Sequence, residues 1–221
     1  KKREILYNKA WLKLYNVPVL YFPKFFHPDP TVDRKSGFLM PTFGESKTLG
    51  ASVNIPYFHV ISDSEDFTFK PRFFSNTEYL LQSEFRKVTK NSSHIADFSV
   101  NKNDNDSKDG RKTHFFSNSE INLVSNLFEE SKINFKIEKV SNDNYMKLYS
   151  LESTDSIIKD TNVLENNIEF SGYKDNFSID VSLESYETMN KLNSDRYEYV
   201  YPSYSLTKSI DLERKFLENF E

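Results

Sequence analysis

No cysteine occurs among the 221 residues, so a disulfide framework, a thiolate metal site and a cysteine nucleophile are all excluded within this chain. Glycine is scarce, at five residues. No GxGxxG, GxxxxGK[ST] or GxSxG is present, so neither a phosphate cradle nor a nucleophile elbow is written into it. The four histidines, His27, His59, His94 and His114, share no ligand spacing, and the sequence offers no metal site, no cofactor motif and no enzyme signature. The 29 basic and 33 acidic residues are spread along the chain without a basic stripe, which argues against nucleic acid as a partner. No run reaches the ~18 to 20 consecutive apolar residues of a membrane helix. The opening KKREILYNKAW lacks the apolar segment and cleavage site of a signal peptide. Two classes stay open: a soluble sheet protein, or a membrane β-barrel, whose strands need no continuous apolar run.

What the chain does have is aromatics, 20 phenylalanines and 13 tyrosines, within a mean hydropathy of -0.65. That profile favours strands over helices. Alternation is clean. In FSIDVSLES, Phe177, Ile179, Val181 and Leu183 alternate with Ser178, Asp180, Ser182 and Glu184; INFKIEK sets Ile133, Phe135 and Ile137 against Asn134, Lys136 and Glu138. FTFKPRF, YLLQSEF and LGASVNIPY repeat the pattern, the last with Leu49, Ala51, Val53, Ile55 and Tyr57 on one side. With a first strand at 37 to 43 and weaker ones at 94 to 101, 113 to 124, 162 to 171 and 197 to 206, the chain reads as a meander of about ten strands. No helical stretch is convincing before LERKFLENFE at the end, which continues a strand or makes a helical turn.

Many of these strands measure ~9 to 11 residues, the length of a tilted membrane strand. Their polar faces carry whole charges, Lys70, Arg72, Glu84, Lys136, Glu138, Asp180 and Glu184, which suit a water-filled lumen or bulk water rather than a packed sandwich core. Connections alternate in length. The longer ones place 102 to 112, 141 to 160 and 189 to 195 on one rim. The shorter ones place 61 to 65, 89 to 93, 126 to 131 and 172 to 175 on the other. The Asn-x-Ser sequences at Asn91, Asn105 and Asn176 matter only in a eukaryotic secretory setting, which nothing else supports.

Four of the eight prolines, Pro18, Pro23, Pro28 and Pro30, fall in the first 35 residues, where WLKLYNVPVLYF reads as one or two short strands and PKFFHPDPTVDR as an extended linker. A boundary near residue 35 is expected, separating 1–35 from 36–221. The other four, Pro41, Pro56, Pro71 and Pro202, sit inside patterned runs, although proline removes a ladder donor. Pro71 and Pro202 are expected at a bulge or a rim. Pro41 and Pro56 fall on the first two strands of the meander, where a closed barrel joins its ends, and each missing hydrogen bond lowers the cost of parting strands by about 1 kcal/mol.

The succession VPVLYFPKFFHP, RKSGFLMP, GASVNIPYF, DFTFKPRF and EFR, with VSNDNYMKLY and RYEYVYPSYSL further on, resembles the LPS-assembly protein LptD family over about residues 11 to 206. The resemblance implies an all-β chain: the last strands of a periplasmic jelly roll in 1–35, then part of an antiparallel up-and-down outer-membrane barrel of about two dozen strands. It implies lipopolysaccharide transport into the outer leaflet, release between first and last strands, and no enzymatic activity. Pro41 and Pro56 match the family's lateral-gate prolines, Val17, Pro18, Tyr21 and Pro23 its jelly-roll exit segment, and Ser36, Gly37 and Phe38 its SGF motif. Implied partners are lipopolysaccharide, outer-membrane lipids, an LptE-like lipoprotein plug in the lumen and an LptA-like periplasmic bridge. Two rival readings remain: a general porin or uptake channel, and a soluble extracellular β-sheet binding module.

Overall fold

The computed structural model describes residues 4–14, 16–28, 34–76, 78–103, 111–149 and 162–209. The terminal LERKFLENFE lies outside them, as do the middle parts of the two longest connections. Among the described residues the chain forms fourteen strands and two short helices. Strands β1 (Glu4–Leu14) and β2 (Val17–Pro28) make a separate antiparallel pair with an irregularity at Leu12/Lys13.

The remaining strands are β3 (Gly37–Phe38), β4 (Thr42–Ser46), β5 (Gly50–Asn54), β6 (Tyr57–Ser62), β7 (Glu65–Phe74), β8 (Glu78–Val88), β9 (Ser92–Asn103), β10 (Thr113–Asn122), β11 (Glu130–Val140), β12 (Val163–Lys174), β13 (Phe177–Thr188) and β14 (Tyr197–Lys208). They fall into two compact units, residues 1–87 with 96–114, and residues 88–95 with 115–221. In the first, β4, β5, β7 and β8 are successive neighbours, and β3 pairs with β6, which pairs with β7. In the second, β11 to β14 follow one another as an antiparallel meander.

The meander expected from alternation is therefore present, but the first two strands are broken. The single run expected over 37 to 43 is β3 and β4, and LGASVNIPY is β5 and β6, interrupted at Ile55–Pro56. Two helices were not anticipated: α1 (Tyr145–Tyr149) and α2 (Asn193–Arg196). A single turn leaves too few residues for a helical period to register. Tyr145, Met146 and Tyr149 of α1 are buried, the two rings 4.8 Å apart.

In β7, β8 and β11 the more buried face is the polar one. In β7 and β8, Asp66, Thr68, Gln82 and Glu84 are buried, while Phe69 and Phe73 are exposed. In β11 Glu138 is 6% exposed and Ile137 42%. In β13 the two faces are alike in accessibility: Leu183 and Asp180 are exposed, and the residues flanking them are half-buried. The polar groups are paired with one another, Lys70 with Glu84 at 2.8 Å and Lys136 with Glu165 and Glu138 at 2.8 and 2.9 Å. Water-soluble sheets bury the opposite face.

Two glycines are fixed by geometry. Gly50 closes the β4–β5 hairpin at φ +74 with Ser75 against its α-carbon, where any other residue is strained. Gly172 in β12 lets the Phe128 ring lie flat: an added Cβ would meet it at 2.8 Å.

Candidate functional site

The prolines of the first strands build one continuous feature. Phe38 pairs with Tyr57 and Thr42 with Asn54, so three residues, Leu39, Met40 and Pro41, face two, Ile55 and Pro56. The second strand keeps its register against β7 on both sides of the break, Asn54 opposite Arg72 and Tyr57 opposite Phe69. Pro41, Ile55 and Pro71 thus lie at one level on three neighbouring strands.

Across the break each ladder is one-sided. Leu39 donates its N–H to the Pro56 carbonyl at 2.9 Å, and Ile55 donates to the Pro71 carbonyl at 3.1 Å. Antiparallel residues that exchange bonds do so in both directions, but Pro56 and Pro71 have no N–H to return. Pro56 is buried and Pro41 half-buried. Beside them the Asn54 side-chain oxygen Oδ1 is buried without a hydrogen-bond partner, an arrangement that costs about 1–3 kcal/mol. Pro71 was expected at a bulge or rim. It occupies neither, since the β7–β8 register runs unshifted through Pro71 opposite Leu81; its missing donor points toward the same break. Pro202 does sit at a bulge, where pairing shifts between Ser182 and Glu184.

Below the break the first strand is held firmly. The Arg34 guanidinium pairs with Asp66 and reaches the Asp63 carbonyl, Arg86 pairs with the same Asp66 at 2.9 Å, and Val60 donates its N–H to Ser36 Oγ at 2.8 Å. Gly37 is buried opposite Phe58, and exposed Phe38 meets the Tyr57 ring edge-on at 5.0 Å. Above it the β4–β5 hairpin pairs with β7 at Ser52, Val53 and Asn54, with one more bond from Ser75 to the Ala51 carbonyl at 2.9 Å. Arg34 and Asp66 were missed from the sequence because they lie 32 residues apart. Val17, Pro18, Tyr21 and Pro23, expected from the resemblance to form an exit segment, are all exposed on β2, Tyr21 packing on Trp11 at 4.7 Å.

A second cluster imitates a catalytic relay. His114 Nδ1 lies 2.6 Å from Ser99 Oγ and Nε2 lies 2.8 Å from Asp97 Oδ1. Ser99 is 3% exposed, and Gln82 Nε2 donates to both Asp97 oxygens at 2.9 and 3.1 Å. The hydroxyl has no room for a substrate, and the carboxylate is shared into the network of the sheet's polar face, so this is a satisfied buried histidine. Among the described residues no group of three or more His, Asp or Glu side chains is placed to hold a metal, and no helix is long and apolar enough to cross a membrane.

On the long-connection side of the second unit, Arg196 joins two loops. Its guanidinium donates to both Asp143 oxygens at 3.0 and 2.7 Å and to Glu187 at 2.7 Å, while Asn190 N donates to Asp143 at 3.1 Å. The Arg196 hydrogen bonds hold the Asp143 carboxyl below the usual aspartate value, and the carboxylates raise the guanidinium further above neutrality.

An antiparallel all-β wall that exposes its apolar face and buries its polar one has the side-chain arrangement of a membrane β-barrel. The model of the family described as LptD protein matches residues 5–218, and the chain belongs to that family, which is one of assembly proteins and not of enzymes. The LPS-assembly protein LptD of Pseudoalteromonas translucida (strain TAC 125) is 32% identical over 186 residues, covering 83% of this chain and 23% of that protein. Its counterpart in Shewanella frigidimarina (strain NCIMB 400) is 42% identical over 78 residues, covering 35% and 10%. That of Legionella pneumophila (strain Lens) is 30% identical over 160 residues, covering 65% and 18%. The chain spans less than a quarter of the length of these relatives.

Proposed function

We propose that this chain forms the first part of an outer-membrane barrel that delivers lipopolysaccharide to the outer leaflet, and that the proline break is its lateral gate. The carrying observation is the pair of one-sided bonds, Leu39 to Pro56 and Ile55 to Pro71, on strands beside the first edge. Among the described residues β4 is paired on one side only, which leaves it the edge for a closing strand. The prolines and the unpartnered Asn54 oxygen lower the cost of parting there, while Arg34, Asp66 and Ser36 hold the base. The β4–β5 hairpin then swings about Pro41 and Pro56 while the strand below stays docked.

In this reading the long connections face outward, residues 1–35 are the end of a periplasmic jelly roll fed by an LptA-like bridge, and Val17, Pro18, Tyr21 and Pro23 line the cargo's exit. The charged face meets a lumen that holds an LptE-like lipoprotein, and the exposed aromatics meet outer-membrane lipids. A general porin needs no weakened seam. The test replaces Pro41 and Pro56 together with alanine in the full-length protein and measures surface lipopolysaccharide. Reduced delivery with the protein correctly inserted is expected; unchanged delivery would leave the prolines a purely structural role.

A further inference from the structure

The second unit carries a groove on its apolar face that the gate does not use. It is a cavity of about 450 Å³ whose walls are Phe135 and Ile137 of β11 on one side and Tyr199 and Tyr201 of β14 on the other. Between them the outward positions of β12 and β13 hold Ile168 and Leu183 at the level of Phe135, and the shorter Asn166 and Ser185 at the level of Ile137. The floor is lower at Asn166 and Ser185, which fill less than Ile168 and Leu183 beside them or the aromatic walls do. The Pro202 bulge sets the far wall: Tyr201 and Pro202 together face Leu183, and beyond them the outward residues change parity to Tyr204 and Leu206, opposite Val181 and Ile179.

Three observations say what covers this groove. Its walls are exposed apolar and aromatic groups, with Tyr199 59% and Tyr201 80% exposed. It lies two to five residues from the strand ends that carry the connections 141–162 and 189–196. Lys139 is exposed two residues beyond Ile137 on the same face of β11, above the groove's open end. Tyrosine rims and a cation at the end of an apolar slot suit an amphiphile with a chain and an anionic head.

We propose that this groove seats one acyl chain of lipopolysaccharide from the surrounding outer leaflet, with Lys139 beside a head-group phosphate. The proposal rests on the membrane reading above and adds a resident lipid site on the barrel wall, apart from the transport path. Such a lipid fills a dip that the free chains of a bilayer fill poorly.

The test places a photo-crosslinking benzoylphenylalanine at Leu183 in the full-length protein in Gram-negative cells. The same residue at Phe115, which is 42% exposed in the third position of β10, serves as the off-groove control. Adducts are read with antibody to lipid A and with radiolabelled phospholipid. A lipid A adduct several times stronger at Leu183 than at Phe115 is expected. It should fall roughly five-fold in Lys139→Gln, which removes one cation's attraction for the phosphate, and fall also in Ser185→Phe, which fills the dip. Lys139 is a surface position, so its variant keeps the result readable where the filled groove fails to insert. Equal lipid A adducts at both positions would overturn the groove while leaving the membrane reading intact. Phospholipid alone at Leu183 would overturn lipopolysaccharide as the occupant. No lipid adduct at either position would take down the membrane reading as well.

Discussion

Leu39 gives its backbone N–H to the carbonyl of Pro56 at 2.9 Å, and Pro56, having no N–H, returns nothing. The same one-way exchange recurs one strand further in, from Ile55 to Pro71. The break is therefore two neighbouring half-made rings, and it spans three strands. Pro71→Ala restores a donor to the inner ring without touching the outer one. It should slow amide exchange at Ile55 roughly five-fold, the equivalent of about 1 kcal/mol, and leave Leu39 exchange unchanged; Pro56→Ala should do the reverse.

Asp66 anchors the base of the first strand, and its two partners are unequal tests of that role. The Asp66 side chain is 3% exposed, that of Arg34 40%. Arg34→Ala removes one exposed partner and should cost about 1 kcal/mol or less. Asp66→Ala strips Arg86 and Arg34 of their shared carboxylate within the sheet's polar face and should cost about 3 kcal/mol. The unfolding temperature of the full-length protein by heat-shifted gel mobility orders the two; equal effects would mean that Asp66 is not the shared anchor.

Much of this was legible beforehand because alternation needs only neighbours in sequence. FSIDVSLES and INFKIEK could be read as two-faced strands, and in INFKIEK the apolar face is the less buried one, with Ile137 exposed and Glu138 buried. Pro41 and Pro56 were visible as anomalies for the same reason. The role of Pro71 was not, because a missing donor matters only through the partner it faces, and that pairing is set by the register of β7 with β6. The Arg34–Asp66 pair and the Ser99–His114–Asp97 cluster are likewise products of register across strands. The helix Tyr145–Tyr149 is one turn, held by Leu148 N to the Asn144 carbonyl at 2.8 Å and by its buried rings, neither of which leaves a period in the sequence.

Gly172 gives a sharp steric prediction. A methyl at this position meets the Phe128 ring at 2.8 Å and Ile179 at 3.1 Å, and Phe128 is also held edge-on by Phe170 at 5.7 Å. Gly172→Ala should displace the ring and cost about 1–3 kcal/mol by overpacking. Adding Phe128→Leu should recover part of that loss, which a thermal shift of the double variant would reveal.

The Arg196 cluster carries a pH signature. Asp143 is held below its ordinary value of 3.8 chiefly by the Arg196 hydrogen bonds, so folding favours its ionised form. The sign follows: the stabilisation is fully present above the ordinary value and is lost as pH falls through the lowered one. Protease resistance of the 141–149 and 189–196 connections should be flat from neutral pH down to that range and drop below it. Arg196→Ala, costing about 1–2 kcal/mol, should weaken resistance at every pH and abolish the step.

The inverted polarity of the wall separates a membrane barrel from a soluble sheet by a single substitution. Leu183 is 48% exposed, and exposed positions of a water-soluble protein accept lysine within ~0.5 kcal/mol. If the side chain faces hydrocarbon instead, Leu183→Lys should cost about 2–4 kcal/mol near mid-depth and less toward the rim. Ile168, opposite Leu183 on β12, should respond in the same way. Glu184, on the other face, accepts from Ser182 at one carboxylate oxygen and from Tyr186 at the other; it should tolerate glutamine with a smaller loss, because the amide oxygen keeps one of these bonds and the amide NH2 can donate to the other hydroxyl oxygen. Insertion and thermal stability of the three variants in lipid vesicles decide the matter. A harmless lysine at both Leu183 and Ile168 would mean that this face meets water, and neither the lateral gate nor the lipid groove would survive that result.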